Sequence, residues 1–559
     1  MSAVPTNLPP TITVRCQGRE FRPSRGTRVK TFLRHFLPDI EPEALGAVVS
    51  GRLVDLEAPI AADCELQPVT YASREGARIY RATLTVLLAE AVARRFRGAR
   101  VQVGQSFGDA VYFDVGKEPS LSPQEVELLE ADIRRMVAQK EPLAVMRVPK
   151  AQAIEELLAC GAVASAHLLR TSRRSFVPLI ATRSRMHLWF HPVLPTAEGI
   201  RNFALRPFAG GLVLCLPPAG RPADPPEPVQ GAEGLFPVYR ETRLWNARVG
   251  ISTVPDLNDA VLSGAIGEVI RVAEAQHERK LVLLADEILG RRNCRLVTVA
   301  GPSSSGKTTF VKRLRMQLMA AGLRPKELNL DNYYVDRDRT PVGPDGQPDF
   351  ECIEAIDLPL LNEHLLALMR GQEVQTPRYN FQKGRREERT TPLALGPDEV
   401  LLIEGIHGLN DRLTEAVPRD QKYRIYVSAM TQLVIDDENR LFTSDARLIR
   451  RIVRDRFFRG YSASQTIRMW PKVRAGEERW IFPFQPLADA VFNSTLVYEP
   501  AVLKVFAERF LLEVEESDPA HVDAVRLLEF LDLFVPVFAE DVPATSILRE
   551  FVGGSAFKY

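Results

Sequence analysis

The sequence predicts an α/β protein: a C-terminal half built on a parallel sheet with helices on both faces, preceded by smaller α+β units. Three observations carry this. From Cys294 onward short uninterrupted apolar runs (RLVTVA, EVLLIEG, YRIYVSA, DAVFNSTLV) alternate with helical stretches, the pattern of strands buried on both faces. A glycine-rich turn, GPSSSGKT, joins the first of those runs to a helix. Before residue 72, short β-like runs surround one helical stretch.

In chain order, Thr11 to Arg15, Ala47 to Val49 and Leu66 to Tyr71 read as strands around a helix from Val29 to Leu37, a unit of ubiquitin size. Residues 80–96 and Pro123 to Ala138 repeat apolar residues at helical spacing, the second opened by a capping box from Ser122 to Glu125. Between them VQVGQSFGDAVYFDV alternates as a hairpin does, and strand signals continue to Leu216. Six prolines between Pro217 and Pro228 mark a solvated loop or linker. Residues 257–290 are helical. The expected divisions are 1–72, 73–235, a helical connector 236–285, 286–515, and a C-terminal helical tail 516–559 with an apolar helix around Val525 to Phe534.

Composition narrows the functional classes. Across 559 residues, 72 Lys plus Arg nearly cancel 71 Asp plus Glu, which disfavours a basic nucleic-acid coat and an acidic disordered chain. No apolar run approaches the ~18 residues of a membrane span. The opening MSAVPTNLPP has neither a basic n-region nor an apolar h-region, so a cytoplasmic protein is expected. Six scattered cysteines, never spaced as CxxC, read as reduced and mostly buried thiols.

The chemistry starts at Gly301. Gly301 and Gly306 let the backbone turn its N–H groups toward phosphate oxygens, and the following helix adds its positive end. Lys307 brings a charge to the outer phosphates, and the Thr308 hydroxyl suits Mg²⁺. Gly301, Ser303, Ser304, Ser305, Gly306, Lys307, Thr308 and Thr309 are therefore the expected ATP-binding residues. No NKxD tetrapeptide follows, which weighs against a GTPase. Leu328 to Leu330 ends in Asp331-Asn332-Tyr333-Tyr334, and a carboxylate at the C-terminal edge of a parallel strand faces the ligand crevice. There Asp331 could take a proton from an attacking hydroxyl, with Tyr334 beside it as a substrate contact. Val400 to Ile403 ends in Glu404, placed to support a metal with Thr308. Arg447, Arg450, Arg451, Arg454, Arg456 and Arg459 crowd one helix and its end: a solvated face, or a lid that neutralises charge in phosphoryl transfer.

GPSSSGKTT, LNLDNYY, PDFECIEAIDLPLL, PRYNF, LLIEGIHGLN and RRIVRDRFFRG follow one another as they do in the uridine kinase and phosphoribulokinase group of P-loop kinases, which residues 286–515 resemble. The resemblance implies that Lys307 and Thr308 hold ATP and Mg²⁺, that Asp331 is the catalytic base on a sugar 5′-hydroxyl, and that Glu404 supports the metal. It implies that Arg451, Arg454 and Arg459 form a phosphate-facing catalytic lid, that Glu351 binds ribose, and that Tyr379 lies beside the base. Two positions depart: the group's base-reading histidine is Gly384 here, and a common lid arginine is Tyr461.

The first 215 residues resemble a TGS domain followed by the editing-type domain of threonyl-tRNA synthetases, on ARIYRATLTVLLAEAV, VQVGQSFGDAVYFDV and LSPQEVELLEADIRRMV. The editing domain's HxxxH falls at Ala82 and Val86, and its cysteine–histidine pair has no evident counterpart, so a fold without the editing activity is expected. A second HxxxH, His187 to His191, reads as structural histidines on a strand. The basic runs Arg94 to Arg100 and Arg170 to Arg185 lack interleaved aromatics and read as solvated faces.

The expected function is an ATP-dependent kinase of a nucleoside 5′-hydroxyl, uridine or a relative. An RNA- or ribosome-interacting regulator with a nucleotide switch, or a kinase of another sugar or vitamin, stays open. A small-molecule nucleoside is the expected partner, DNA and membrane are not, RNA contact by the N-terminal half lacks a signature, and homo-oligomerisation stays open.

Overall fold

The structure, a computed structural model, describes residues 10–558 except 109, 230–231, 344–345, 347, 381–382 and 432, and except the side chains of 232 and 233. The opening stretch through Pro9, Asp109 of the hairpin block and Phe381 of PRYNF lie outside the described residues.

The N-terminal unit is a five-stranded sheet in the order Arg19–Phe21, Val14–Cys16, Cys64–Thr70, Ala44–Val49, Arg52–Val54, crossed by the helix Val29–Phe36. Val14, Val29, Phe32, Leu33, Ala47 and Leu66 close its core. The helix Arg74–Arg95 then runs almost wholly inside the protein, buried from Ala82 to Val92. It lies beside an antiparallel sheet made of Val101–Phe107, Ala110–Val115, Gly211–Cys215 and Ala204–Phe208. The helix Pro123–Ala138 starts at the expected capping box, with Ser122 and Glu125 each accepting the other's backbone N–H.

One expectation fails between residues 144 and 188. The strands Ala144–Pro149, Phe176–Ala181 and Met186–Leu188 form a three-stranded sheet, but the helices Lys150–Ala159 and Val163–Leu168 interrupt what reads as continuous strand. These helices are short and rich in alanine, and only Ala153 and Leu157 of the first are buried, so their apolar stripe is too narrow to announce a 3.6-residue period. The solvated reading of the basic runs also fails in part. Arg94 bonds Glu90 and Glu141, Arg95 meets Asp132, and Arg185 lies 3.5 Å from Glu438.

His187 sits on the strand Met186–Leu188, its Nδ1 2.7 Å from the Glu438 carboxylate. Among the described residues no three His, Cys, Asp or Glu side chains gather as metal ligands, and no helix is long and apolar enough to cross a membrane. All six cysteines are unpaired, with Cys16, Cys215 and Cys352 buried.

Three connector helices, Ala232–Val249, Val254–Leu262 and Ile266–Gly290, lead into a five-stranded parallel sheet. Its order is Arg324–Asn329, Glu399–Glu404, Leu296–Ala300, Lys422–Ser428, Ala490–Asn493. The C-terminal helices His521–Leu531 and Arg549–Val552 pack back onto this half. Ile547, Leu548 and Phe551 share one core with Leu314 and Leu318 of the helix after the glycine-rich loop.

Candidate active site

Three strand ends converge at one edge of the parallel sheet. Glu404 is in register with Val299 on one side and Asn329 on the other. Gly301 therefore opens its loop next to Glu404, and Asp331 lies two residues beyond the partner strand. This is the crevice outside the carboxyl ends of a parallel sheet, where ligands of such folds bind.

The loop is built from close approaches. A Cβ on Gly301 would lie 2.1 Å from the Val427 carbonyl oxygen, and Gly306 has φ +82° at the cap of the helix Lys307–Ala320. Ser304 adopts φ +58° without being glycine, a conformation that needs outside support. The arginine-rich helix Thr443–Phe458 supplies it. Arg450, fully buried, donates Nη1 to the Ser304 carbonyl at 3.2 Å and to Ser494 Oγ at 3.2 Å while pairing with Glu499. Arg447 donates Nε to the Ser303 carbonyl at 3.0 Å and pairs with Glu477. Glu477 in turn accepts the Ser303 N–H at 3.0 Å. Arg447 and Arg450 are thus neither solvated nor part of a lid. They are the mould of the loop, and with Glu477 and Glu499 they escape sequence reasoning, because their partners are 30–146 residues away.

Of the remaining arginines, Arg451 reaches the loop from the same helix, donating Nη1 to Ser303 Oγ at 2.8 Å. Arg451, Arg454 and Arg459 gather around the buried Asp455 at 3.2, 2.9 and 3.6 Å, while Arg456 turns away to Glu513.

Thr308 Oγ1 donates to Glu404 Oε1 at 3.1 Å. Burial pushes the Glu404 carboxyl up, against the pull of Lys307, and pulls the Lys307 ammonium down against Glu404 and Glu550. Lys307 Nζ rests on the Pro302 carbonyl at 3.2 Å. Asp331 opens to solvent, yet the surrounding protein raises its pKa, with Lys307 opposing.

The four expected acceptor contacts come together around Tyr334. Burial raises the Tyr334 phenol, and the charges of Asp331 and Glu351 and the Tyr379 hydroxyl add to this. Its ring lies 5.8 Å from that of Tyr379, and its hydroxyl donates to the Phe350 carbonyl at 3.1 Å. Glu351 is pressed against Gly476, where a Cβ would sit 1.7 Å from its carboxylate. Burial, then Glu477 and Asp349, push its pKa up to about 7. Gly384 has φ +66°, and a Cβ there would lie 2.8 Å from Arg337 Nε. The position of the group's base-reading histidine is therefore taken up by a guanidinium from elsewhere.

Residues 296–498 match the phosphoribulokinase / uridine kinase family. They are a domain of that family. Over 208 residues the chain is 29% identical to a uridine kinase of Deinococcus deserti, covering 37% of this chain and 91% of that one. Its N-terminal half matches threonine–tRNA ligases. The ligase of Symbiobacterium thermophilum is 31% identical over 174 residues, 31% of this chain and 27% of the ligase. The chain thus spans about a quarter of that ligase. Among solved structures, D-glycerate 3-kinase of Cryptococcus neoformans is 17% identical, covering 47% of this chain and 89% of that one at a TM-score of 0.21. The phosphoribulokinase/uridine kinase domain therefore begins at the strand before the glycine-rich loop and ends beside the Glu499 that braces Arg450.

Proposed function

We propose that the chain is a phosphotransferase that moves the γ-phosphoryl group of ATP to the primary alcohol of a nucleoside, uridine or a relative. The observation that carries this is the convergence on one sheet edge of the glycine-rich loop, the Thr308–Glu404 pair and Asp331. A nucleotide switch needs the first two; a strand-end carboxylate beside an acceptor pocket is what transfer to an alcohol adds.

The residues fit ATP and Mg²⁺. Ser304 Oγ and Ser305 Oγ are buried without a protein partner in the loop, and Thr308 and Glu404 offer hard oxygens facing each other. Mg²⁺, when bound, would offset the phosphate charge.

The chain's own residues do the rest. Lys307 and the loop N–H groups hold the phosphates, and Arg451, Arg454 and Arg459 oppose the charge that spreads as the phosphoryl group leaves. Asp331 takes the hydroxyl proton. Burial raises its pKa against the pull of Lys307, which makes it a stronger proton acceptor than a free aspartate. Glu351 and Tyr379 orient the acceptor. Arg337 at Gly384 changes what meets the base, which favours a nucleoside read differently from the family's uridine.

The experiment is ATP turnover by the full chain over a panel of nucleosides, then sugars, then tRNA, with Lys307→Ala as control. A 5′-monophosphate that Lys307→Ala fails to make is expected. Turnover stimulated by RNA alone would replace this reading with the nucleotide switch.

A further inference from the structure

The last helical turn of the chain, Arg549–Val552, lies against the first turn of the helix Lys307–Ala320. Glu550 Oε2 accepts the Thr309 hydroxyl at 2.7 Å and the Thr309 backbone N–H at 3.2 Å. Thr309 is the third residue of that helix, so its N–H points out of the helix end toward an outside acceptor. The Phe310 N–H is already held by the Gly306 carbonyl at 3.0 Å. The donors this turn can offer a phosphate are therefore those of Lys307, Thr308 and Thr309, and a carboxylate sits on one of them.

The turn that holds Glu550 is firmly built. Arg549 Nη2 donates to the carbonyls of Ala539 and Val542 at 2.6 and 2.7 Å. Ile547 fills the space beside Gly306, where a Cβ would lie 2.5 Å from its methyl carbon. The Phe551 ring lies 5.0 Å from the Arg450 guanidinium that shapes the loop.

We propose that Glu550 is an internal anion in the nucleotide site, holding a phosphate-binding donor until a nucleotide displaces it, so that the C-terminal turn sets the affinity for nucleotide. This rests on the nucleotide-binding reading given above. One N–H cannot serve two anions at full strength. A carboxylate beside a polyphosphate also repels it strongly in a site partly shielded from water. Only the fraction of molecules with the Glu550–Thr309 bonds open binds at full strength, so the observed affinity falls by that fraction.

The test is titration of the full chain with the fluorescent nucleotide mant-ATP and Mg²⁺, without acceptor, for wild type, Glu550→Gln, Glu550→Ala and Lys307→Ala. Both Glu550 variants are expected to bind about tenfold tighter, the scale of one removed like-charge contact. Hydrogen exchange should quicken in the segment 539–558 of wild type when ATP binds. If wild type binds and both Glu550 variants bind equally or more weakly, or if ATP slows exchange in that segment, the proposal is overturned. If no variant binds and Lys307→Ala matches wild type, the nucleotide reading itself falls and takes the proposal with it. Should Glu550→Ala fail to fold, Glu550→Gln, which keeps an acceptor for Thr309, carries the test.

Discussion

Replacing Arg450 by methionine separates two jobs that this side chain performs at once. Its guanidinium pairs with Glu499, itself 2% exposed, and its remaining donors reach the Ser304 carbonyl at 3.2 Å and the Ser494 carbonyl at 3.0 Å. Arg450→Met strands the Glu499 carboxylate in the interior, which costs about 3–5 kcal/mol. It also frees Ser304 from the contact that holds it at φ +58°, a conformation about 1–2 kcal/mol above the right-handed one for an ordinary residue. The double variant Arg450→Met/Glu499→Leu removes the stranded charge and should recover most of the lost stability, since apolar replacement of a buried pair is often neutral. It cannot recover the shape of the loop. Urea unfolding and mant-ATP titration should therefore part company: stability near wild type, nucleotide affinity still reduced about tenfold or more, as expected from ~1.4 kcal/mol of loop distortion. If the double variant binds nucleotide as wild type does, Arg450 serves only charge balance, and the idea that it moulds the loop is refuted.

Asp331→Asn should lower kcat ~10²-fold or more while leaving the Kd for ATP nearly unchanged, measured by steady-state kinetics beside direct titration. Glu351, with its pKa pushed up from the ordinary 4.5 to about 7, accepts hydroxyl hydrogens with both oxygens, and most strongly, when ionised. The KM for the acceptor should then rise as pH falls below about 7, and Glu351→Gln should flatten that profile. Because the folded chain holds this proton more tightly than the unfolded one, the same group withdraws stability as pH rises from 4.5 toward 7. Gly476→Ala would place a methyl group 1.7 Å from the Glu351 carboxylate and should raise the acceptor KM without altering nucleotide binding. The alanine itself favours the helix by about 1 kcal/mol, so a loss cannot come from helix propensity. Burial would raise the Asp445 pKa, but Arg526, Arg78 and Arg74 hold it well below the ordinary 3.8. Its contribution is present above pH 3.8 and lost as pH falls below it. Asp445→Asn should cost about 3–5 kcal/mol by urea unfolding at neutral pH and make limited proteolysis faster.

The parallel sheet is legible in the sequence because each of its central strands is buried on both faces and so appears as an unbroken Val/Ile/Leu run, as in Val400 to Ile403. The helix Pro123–Ala138 is legible to the residue because its capping box is local. The glycine-rich loop is legible because its chemistry fixes residue types at fixed spacing. What hides is whatever depends on partners far along the chain. Arg447 and Arg450 look like their neighbours Arg451 and Arg454, and only Glu477 and Glu499 decide that the first two are buried. Glu550 lies 241 residues after Thr309, with nothing local to mark it. The helices between Lys150 and Leu168 hide for another reason: they are too short and too alanine-rich to show a period.

The two halves of the chain meet in a way that bears on the loop directly. After the strand Lys422–Ser428 the chain runs into the N-terminal half before returning as the arginine-rich helix. There Asp436 accepts from Ser165 at 2.9 Å, and the Asp437 carbonyl accepts the Val103 N–H at 2.8 Å. Glu438 meets His187 at 2.7 Å, and Asn439 donates to the Leu188 carbonyl at 2.9 Å. Arg440 reaches Gly104 and Gln105, and Arg81 and Arg440 both lie over the Phe442 ring, at 5.3 and 5.5 Å. Thr443, the first residue of the helix, bonds Gln105 at 3.3 Å, and one turn later Arg447 holds Ser303. A helix anchored at its start by so many specific bonds cannot rotate or slide without breaking them, and its arginines are fixed to the same degree. The position of the guanidinium groups over the glycine-rich loop is therefore set as much by the N-terminal half as by the parallel sheet, and a chain cut before residue 286 would leave Phe442 without Arg81 and the buried Asp436 and Glu438 carboxylates without Ser165 and His187.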